Sequence, residues 1–178
     1  MPRFRDVPQF TRNASYRVDV PWDYLKDHMT RSAGYAIGGL DIDPDFQRAH
    51  VWSERQQVRY VEWILRGGMT GKDLFWNCTG WNGRKSKIGP YVLVDGKQRL
   101  TAVLRFLDGE ITAFGHRISE YTDKPPMLRA TFSWWVNDLE TRAEVLQWYL
   151  DLNGGGVLHT EEELAKVEAL LVVEKQKE

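Results

Sequence analysis

The segment Asp95-Gly96-Lys97-Gln98-Arg99 combines, within one turn, residue types that bind phosphate groups. It lies between a short apolar run and a segment whose apolar residues recur with helical spacing, so the pattern predicts a strand-to-helix turn. A helix N-terminus presents N–H groups and partial positive charge to an anion, and Lys97 and Arg99 add two full charges. Gly96 permits close approach of a ligand to the backbone, and Asp95 could hold a metal ion or accept a proton. These residues predict a nucleotide-phosphate site, although Asp-Gly is also a common turn dipeptide.

A second polar segment, Asp43-Pro44-Asp45-Phe46-Gln47-Arg48, is followed by His50-Val51-Trp52. Gln47 and Arg48 could project into a cleft, since arginine suits bidentate contacts with phosphate. The alternative is that the apolar residues of this segment belong to the core and that Arg48 pairs with Asp43 or Asp45. Spacing alone leaves both interpretations open.

A glycine run lies between the last two predicted helices, in Asn153-Gly154-Gly155-Gly156, and His159-Thr160 follows it. Consecutive glycines commonly end a helix, but their N–H groups can also form a nest for an anion. His159 could be a ligand or a base, or it could be structural or exposed.

The composition of the chain excludes some classes of protein and argues against others. The chain has 178 residues, which suits one domain, and a net charge of -1 argues against a generally basic nucleic-acid binder while allowing a local basic patch. Cys78 is the only cysteine, so an intrachain disulfide and a cysteine-rich zinc site are excluded. Neither a membrane-spanning run nor a signal peptide is evident, so a cytoplasmic location is expected. The eight tryptophans predict an aromatic core or a base-binding surface, and the core is the commoner use.

The periodicity of apolar residues predicts an α+β domain over residues 15–178, preceded by a loose arm at 1–14. We expect strands at 16–20, 74–77, 91–94, 111–114 and 128–136, and a further short strand at 36–42 that is interrupted by Gly38-Gly39. We expect helices after Pro21, after capping boxes at Ser53, Thr141 and Thr160, and from the Asp95 turn to about residue 108. A glycine-rich segment at 67–73 resembles a P-loop only faintly, because Arg66 and Asp73 occupy positions where that motif requires Gly and Ser or Thr.

These motifs, taken in order, resemble the DGQQR-motif family, which includes the N-terminal domain of GmrSD-type modification-dependent restriction enzymes. The family belongs to the ParB/sulfiredoxin-like superfamily. The resemblance covers roughly residues 16–172, with Lys97 at a position where the usual motif has Gln. It implies a ParB/sulfiredoxin-like fold with a small mixed sheet and flanking helices.

The resemblance also implies a role for individual residues. Asp95, Gly96, Gln98 and Arg99 would form a nucleotide site in which Lys97 takes the Gln position, and Asp95 would hold Mg²⁺. Other residues would contribute to the same nucleotide site: Gln47, Arg48 and Asn153. The larger relatives carry a separate HNH-type nuclease domain, for which this chain has no room, so a nucleotide module from a bacterium or a bacteriophage is expected.

Three functions remain open from sequence. The first is a nucleoside-triphosphate-binding protein with Mg²⁺-dependent hydrolysis, in which Asp95 and Arg99 are catalytic. The second is a non-catalytic module that associates with DNA or with a DNA-processing protein. The third, ranked last, is a ParB-like nuclease that uses acidic residues such as Asp95 and Glu62. No membrane partner is expected, and the oligomeric state is left open.

Overall fold

The computed structural model describes residues 15–47, 51–83, 88–124, 130–153 and 161–176, together with Arg3 and Val7. These ranges contain five strands, β1 Ser15–Pro21, β2 Leu40–Asp41, β3 Asp73–Cys78, β4 Tyr91–Asp95 and β5 Thr131–Asn137. They also contain five α-helices, α1 Leu25–Tyr35, α2 Glu54–Leu65, α3 Lys97–Leu107, α4 Arg142–Asn153 and α5 Glu161–Lys175. No helix in these ranges is long and apolar enough to cross a membrane.

The five strands form one mixed sheet in the order β1-β5-β3-β4-β2. β1 pairs with β5 and β3 pairs with β4 in antiparallel fashion, whereas β3 and β5, and likewise β2 and β4, are parallel. β3 and β4 are antiparallel, so Asp73 at the start of β3 and Asp95 at the end of β4 lie at the same end of the two strands. α3 begins at this end of the sheet.

Helices cover both faces of the sheet, because alternate residues of each strand point to opposite sides. On one face, Leu74 and Trp76 of β3 pack in a core that includes Leu25 of α1, Val61 of α2 and Val103 of α3. On the other face, a second core joins a short stretch of β4 to α4 and α5, through Val94, Phe46, Leu146, Tyr149 and Val167. α3 therefore packs on one face of the sheet, and its N-terminus lies at the end of β4.

The structure confirms the α+β class and most of the predicted elements. The strands predicted at 16–20, 74–77 and 91–94 are present with slightly wider bounds. The predicted capping box at Ser53 is also present, since Ser53 and Gln56 cap each other's backbone N–H groups. The same arrangement joins Thr141 and Glu144 at the start of α4. Several predictions fall on residues outside the described ranges: most of the 1–14 arm, the first part of the 128–136 strand, the Gly154–Gly156 run, His159 and the Thr160 cap.

The strand predicted at 111–114 is wrong. Within the described ranges, the one bridge that this segment forms joins Ala113 to His116 around a tight turn. Ile111 and Ala113 are apolar because they are buried in the core, not because they join the sheet. Phe114 has a φ of +51°, and its N–H donates to the Glu62 carboxylate at 2.7 Å, which replaces a strand partner.

The strand predicted at 36–42 is too long. β2 contains only Leu40 and Asp41, because the preceding Gly38 and Gly39 have φ values of +95° and +71°. An extended strand cannot pass through two residues in that conformation.

The tryptophans serve mainly as core residues, as their number predicted. Trp22, Trp76 and Trp134 are almost fully buried, and the rings of Trp76 and Trp134 stack with centroids 4.2 Å apart. Cys78 lies in the same core, and burial raises the pKa of its thiol to about 11. Trp63 is the exception, since 51% of it is exposed.

Candidate functional site

The turn between β4 and α3 has the geometry that the sequence predicts. β4 ends at Asp95 and α3 begins at Lys97, so Gly96 alone joins the strand to the helix. Gly96 has φ of +109° and ψ of 7°, a left-handed conformation that glycine adopts readily. The first N–H groups of an α-helix have no acceptor within the helix, so the turn carries donors and partial positive charge.

Gly96 is also packed too closely for any side chain. A Cβ atom at this position would lie 2.5 Å from Leu74 Cδ2 and 3.3 Å from the carbonyl oxygen of Asp73. The same atom would lie 3.4 Å from Arg99 Nη2. Because β3 fills the space on this side of Gly96, a ligand would have to approach the turn from another side.

Two cations in the first turn of α3 are balanced by carboxylates. The Lys97 ammonium pairs with Asp43, and Arg99 Nη2 donates to Asp95 Oδ2 at 2.5 Å. The side chains of Lys97 and Arg99 are 12% and 23% exposed, whereas that of Asp43 is 71% exposed. The Nε atom of Arg99 is buried and has no hydrogen-bond partner among the described residues. The turn therefore places two ion pairs at the start of α3, and one donor of Arg99 has no partner among the described residues in this conformation.

The two polar segments that the sequence singled out lie together at this turn. The largely buried Gln98 side chain accepts hydrogen bonds from the N–H groups of Val51 and Trp52, both at 3.1 Å. Gln47 Nε2 donates to the carbonyl oxygen of Leu93, two residues before Asp95. Gln98 thus holds Val51 and Trp52 against α3, and Gln47 is held against β4. Arg48, predicted to line the same cleft, lies outside the described residues.

Other members of the first polar segment have assigned partners. Asp45 accepts two hydrogen bonds from Arg142 Nη2, at 2.7 and 2.8 Å, which ties the segment to the start of α4. Phe46 is buried against Tyr149, as the core interpretation predicted. Val51 does not fit that interpretation, since it is 50% exposed.

Asn153, predicted to contact nucleotide, is the last residue of α4. Its Nδ2 donates to the carbonyl oxygen of Tyr149 at 2.8 Å, which caps the end of the helix from within. Among the described side chains, no hydrogen bond joins Asn153 to the turn between β4 and α3. The glycine run and His159 that follow it lie outside the described residues.

The structure adds Tyr60 and Asp73 to the surroundings of Arg99. Burial is the main cause of the raised pKa of Tyr60, the charge of Arg99 opposes this shift, and the charge of Asp73 adds to it. Tyr60 donates to the carbonyl oxygen of Gly71 at 2.7 Å, and Asp73 accepts from Trp135 Nε1 at 2.8 Å. Sequence reasoning missed both residues. The signal for Asp73 was its place just before a strand, but using it required knowing that this strand pairs with β4.

The described residues offer a limited set of ligands for a divalent cation. No group of three or more His, Cys, Asp or Glu side chains in these ranges could hold a metal ion. Asp95 supplies one carboxylate, and that carboxylate is ion-paired with Arg99. Mg²⁺ keeps several waters and commonly binds one or two carboxylates together with substrate phosphates. Asp95 therefore fits Mg²⁺ only as a single ligand to an ion that phosphate oxygens also hold.

We expect Gln98→Ala to release Val51 and Trp52 from α3. The change removes the acceptor of two backbone N–H groups, so unfolding free energy should fall by about 1–3 kcal/mol. Hydrogen exchange of the Val51 and Trp52 amides should quicken in this variant. Gln98→Glu keeps an acceptor at the same reach and is the matched control, in which protection should persist. Unchanged hydrogen exchange in Gln98→Ala would show that other contacts protect the Val51 and Trp52 amides.

Comparison with known proteins identifies a family whose model matches most of the chain. Residues 31–154 match the model of the GmrSD restriction endonuclease, N-terminal domain, which is more than two thirds of the 178 residues. The matched range includes both polar segments and the turn between β4 and α3. No match to the chain is found among curated proteins or among solved structures. The chain belongs to the family of the GmrSD restriction endonuclease N-terminal domain.

Proposed function

We propose that this chain binds a nucleoside triphosphate at the turn between β4 and α3 and serves a restriction-related DNA process. The observation that carries the proposal is the pair Lys97 and Arg99 in the first turn of α3, directly after the bare backbone of Gly96. Helix N–H groups, a helix dipole and two cations at one point together favour a polyphosphate over a single small anion.

The ion pairs at the turn are compatible with a polyphosphate ligand. Lys97 pairs with a carboxylate that is 71% exposed. Phosphate oxygens that replaced Asp43 would return this carboxylate to water without burying it. A rearranged Arg99 with a phosphate acceptor would also satisfy the donor that Nε leaves unpaired, which is worth about 1–3 kcal/mol.

Hydrolysis is the finer part of the proposal. Phosphoryl transfer depends mainly on positioning and on stabilising charge, and Lys97 and Arg99 supply charge. Asp95 would leave Arg99 and hold Mg²⁺ together with phosphate oxygens, or it would orient the attacking water. We also propose the ParB/sulfiredoxin-like assignment for the fold and a cytoplasmic location in a bacterial cell, with a phage origin as an option.

A second candidate is a non-catalytic module that associates with DNA or with a DNA-processing protein. The observation that favours it is the Asp95–Arg99 ion pair itself, which engages the carboxylate that would otherwise hold the metal or the water. In this case the turn would bind a nucleotide or a phosphate group without turnover. The nuclease alternative has less support, because Glu62 uses its carboxylate to fix the backbone at Phe114.

A thermal-shift screen tests the proposal directly. ATP, GTP, CTP and UTP are added with and without Mg²⁺, and the matching nucleosides, which lack phosphates, are the control. A ligand that binds the folded state stabilises it by about 2.7 kcal/mol at a hundredfold excess over its dissociation constant. At least one triphosphate should raise the melting temperature while its nucleoside does not. No shift with any triphosphate would contradict the proposal.

A further inference from the structure

A groove of about 610 Å³ lies along α2, and none of the residues assigned to nucleotide is among its described lining residues. Its lining includes three aromatic side chains, Trp52, Tyr60 and Trp63, and the arginines Arg59 and Arg66. No aliphatic side chain is among its described lining residues, so it differs from a site for an apolar helix or strand. We propose that this groove binds unpaired nucleotides of a single-stranded nucleic acid, with a base stacked on Trp63 and phosphates on the arginines.

Trp63 is fixed in position although half of it is exposed. Its ring lies so close to Gly68 that a Cβ atom there would be 2.3 Å from the indole Nε1. The same Nε1 donates to the carbonyl oxygen of Thr70 at 3.3 Å. Contact with the Gly68 backbone orients the ring and leaves much of its surface open. An oriented and exposed aromatic ring is the stacking platform that single-strand binders use, and each stacked base is typically worth about 1–3 kcal/mol.

The arginines give the groove its charge complementarity to phosphate. Arg59 and Arg66 lie four residues before and three residues after Trp63, which places all three on one face of α2. Neither arginine has an ion-pair partner in the part of the chain that the structure describes. Glu62 is the acidic member of the lining in the part of the chain that the structure describes, and its carboxylate accepts the Phe114 N–H. A chain with a net charge of -1 thus keeps two guanidinium groups without an ion-pair partner among the described residues beside an exposed indole.

A nucleic acid fits these observations better than an acidic peptide does. A peptide carboxylate could pair with Arg59 or Arg66, but it would leave the indole surface uncovered. A nucleotide carries a flat aromatic base and a phosphate, which match both features of the groove. The bases must be unpaired, because those in a duplex are already stacked on their neighbours. The inference stands on α2 alone and does not require nucleotide binding at the turn between β4 and α3.

Fluorescence anisotropy of a labelled single-stranded dT12 oligonucleotide tests the inference on the full chain without added nucleotide. Trp63→Ala should weaken binding fivefold or more, as expected for the loss of one stacked base, whereas Trp63→Phe should retain most of the affinity. Joint Arg59→Ala and Arg66→Ala replacement should weaken binding. It should also reduce the slope of log affinity against log salt by about 1.4, or about 0.7 for each lost phosphate contact.

α1 offers a matched control, because Arg31 and Tyr35 are exposed, lie four residues apart and repeat the arrangement of Arg59 and Trp63. Arg31→Ala and Tyr35→Ala should leave oligonucleotide affinity unchanged. The inference is overturned if dT12 does not bind, if the α2 variants bind like the wild type, or if a duplex or a polyglutamate peptide binds as tightly with the same dependence on Trp63. Calorimetry with triphosphates on the same variants separates this result from the proposed function, since α2 variants should keep nucleotide affinity.

Discussion

Gly96→Ala should destabilise the domain by about 2–5 kcal/mol, a large part of the 5–15 kcal/mol that a typical domain has in total. Two physical terms add at this position. A left-handed backbone strains any residue with a Cβ atom, and φ at Gly96 is +109°. The new Cβ would also lie 2.5 Å from Leu74 Cδ2, so that either Leu74 or the turn must move.

Gly109→Ala is the matched control for this prediction. Gly109 follows the other end of α3, has φ of +71°, and has nothing within 4 Å of a Cβ atom. It therefore carries the backbone strain without the collision, and we expect a loss of about 1–2 kcal/mol. Urea unfolding of both variants and of the wild type measures the difference. Equal losses in the two variants would mean that Leu74 adapts freely and that the tight packing at the turn has no energetic role.

The same substitution connects stability with function. A shift of Gly96 away from Leu74 moves the first turn of α3, and with it the side chains of Lys97 and Arg99. If the turn holds phosphate, Gly96→Ala should lose triphosphate affinity even at temperatures where the variant is folded, whereas Gly109→Ala should keep it. The thermal-shift screen with each variant measures this.

Local elements were predictable because their signals lie within a few residues. The capping pairs Ser53 with Gln56 and Thr141 with Glu144 identify two helix starts by a spacing of three. The turn at Gly96 followed from a glycine placed between a strand pattern and a helix pattern. Such features depend little on the rest of the fold, so a single sequence suffices.

Contacts over long sequence separations were not predictable in the same way. Lys97 and Asp43 are 54 positions apart, and Gln98 reaches back 46 and 47 positions to Trp52 and Val51. The sequence offered both segments as candidates but gave no means to decide which side chain faces which. The family resemblance predicted that the two polar segments lie together, and the structure shows which atoms are in contact.

The spacing of apolar residues gave a wrong prediction where a segment is buried but pairs with no strand. Ile111 and Ala113 are buried in the core, yet no strand lies alongside this segment in the described ranges. Tryptophan count predicted the core correctly for Trp76 and Trp134 but could not single out Trp63. Its exposure depends on Gly68, whose missing Cβ makes room for the indole, and this is a tertiary contact.

Arg99→Ala should lower triphosphate affinity tenfold or more. A charge-assisted hydrogen bond to phosphate is typically worth about 1.5–3 kcal/mol, and about 1.4 kcal/mol corresponds to a factor of ten. Isothermal calorimetry measures the affinity, with Arg105→Ala as the control on the same helix. Arg105 pairs with Glu54 and Glu110, so its loss should affect stability and leave affinity unchanged. Equal affinity in Arg99→Ala and wild type would remove Arg99 from the site.

Asp95→Ala should separate binding from turnover. Asp95 is an anion at the proposed phosphate site, and in the structure its carboxylate holds Arg99. Removing it frees the guanidinium for phosphate, so affinity without Mg²⁺ should be unchanged or higher. Mg²⁺-dependent phosphate release should fall much more than affinity does, because the ligand for the metal or the water is lost. Asp95→Asn, which keeps the shape without the charge, should give the same result. If Asp95→Ala retains full turnover, or if the wild type binds triphosphate without hydrolysing it, Asp95 serves only to position Arg99 and the non-catalytic module is the correct function.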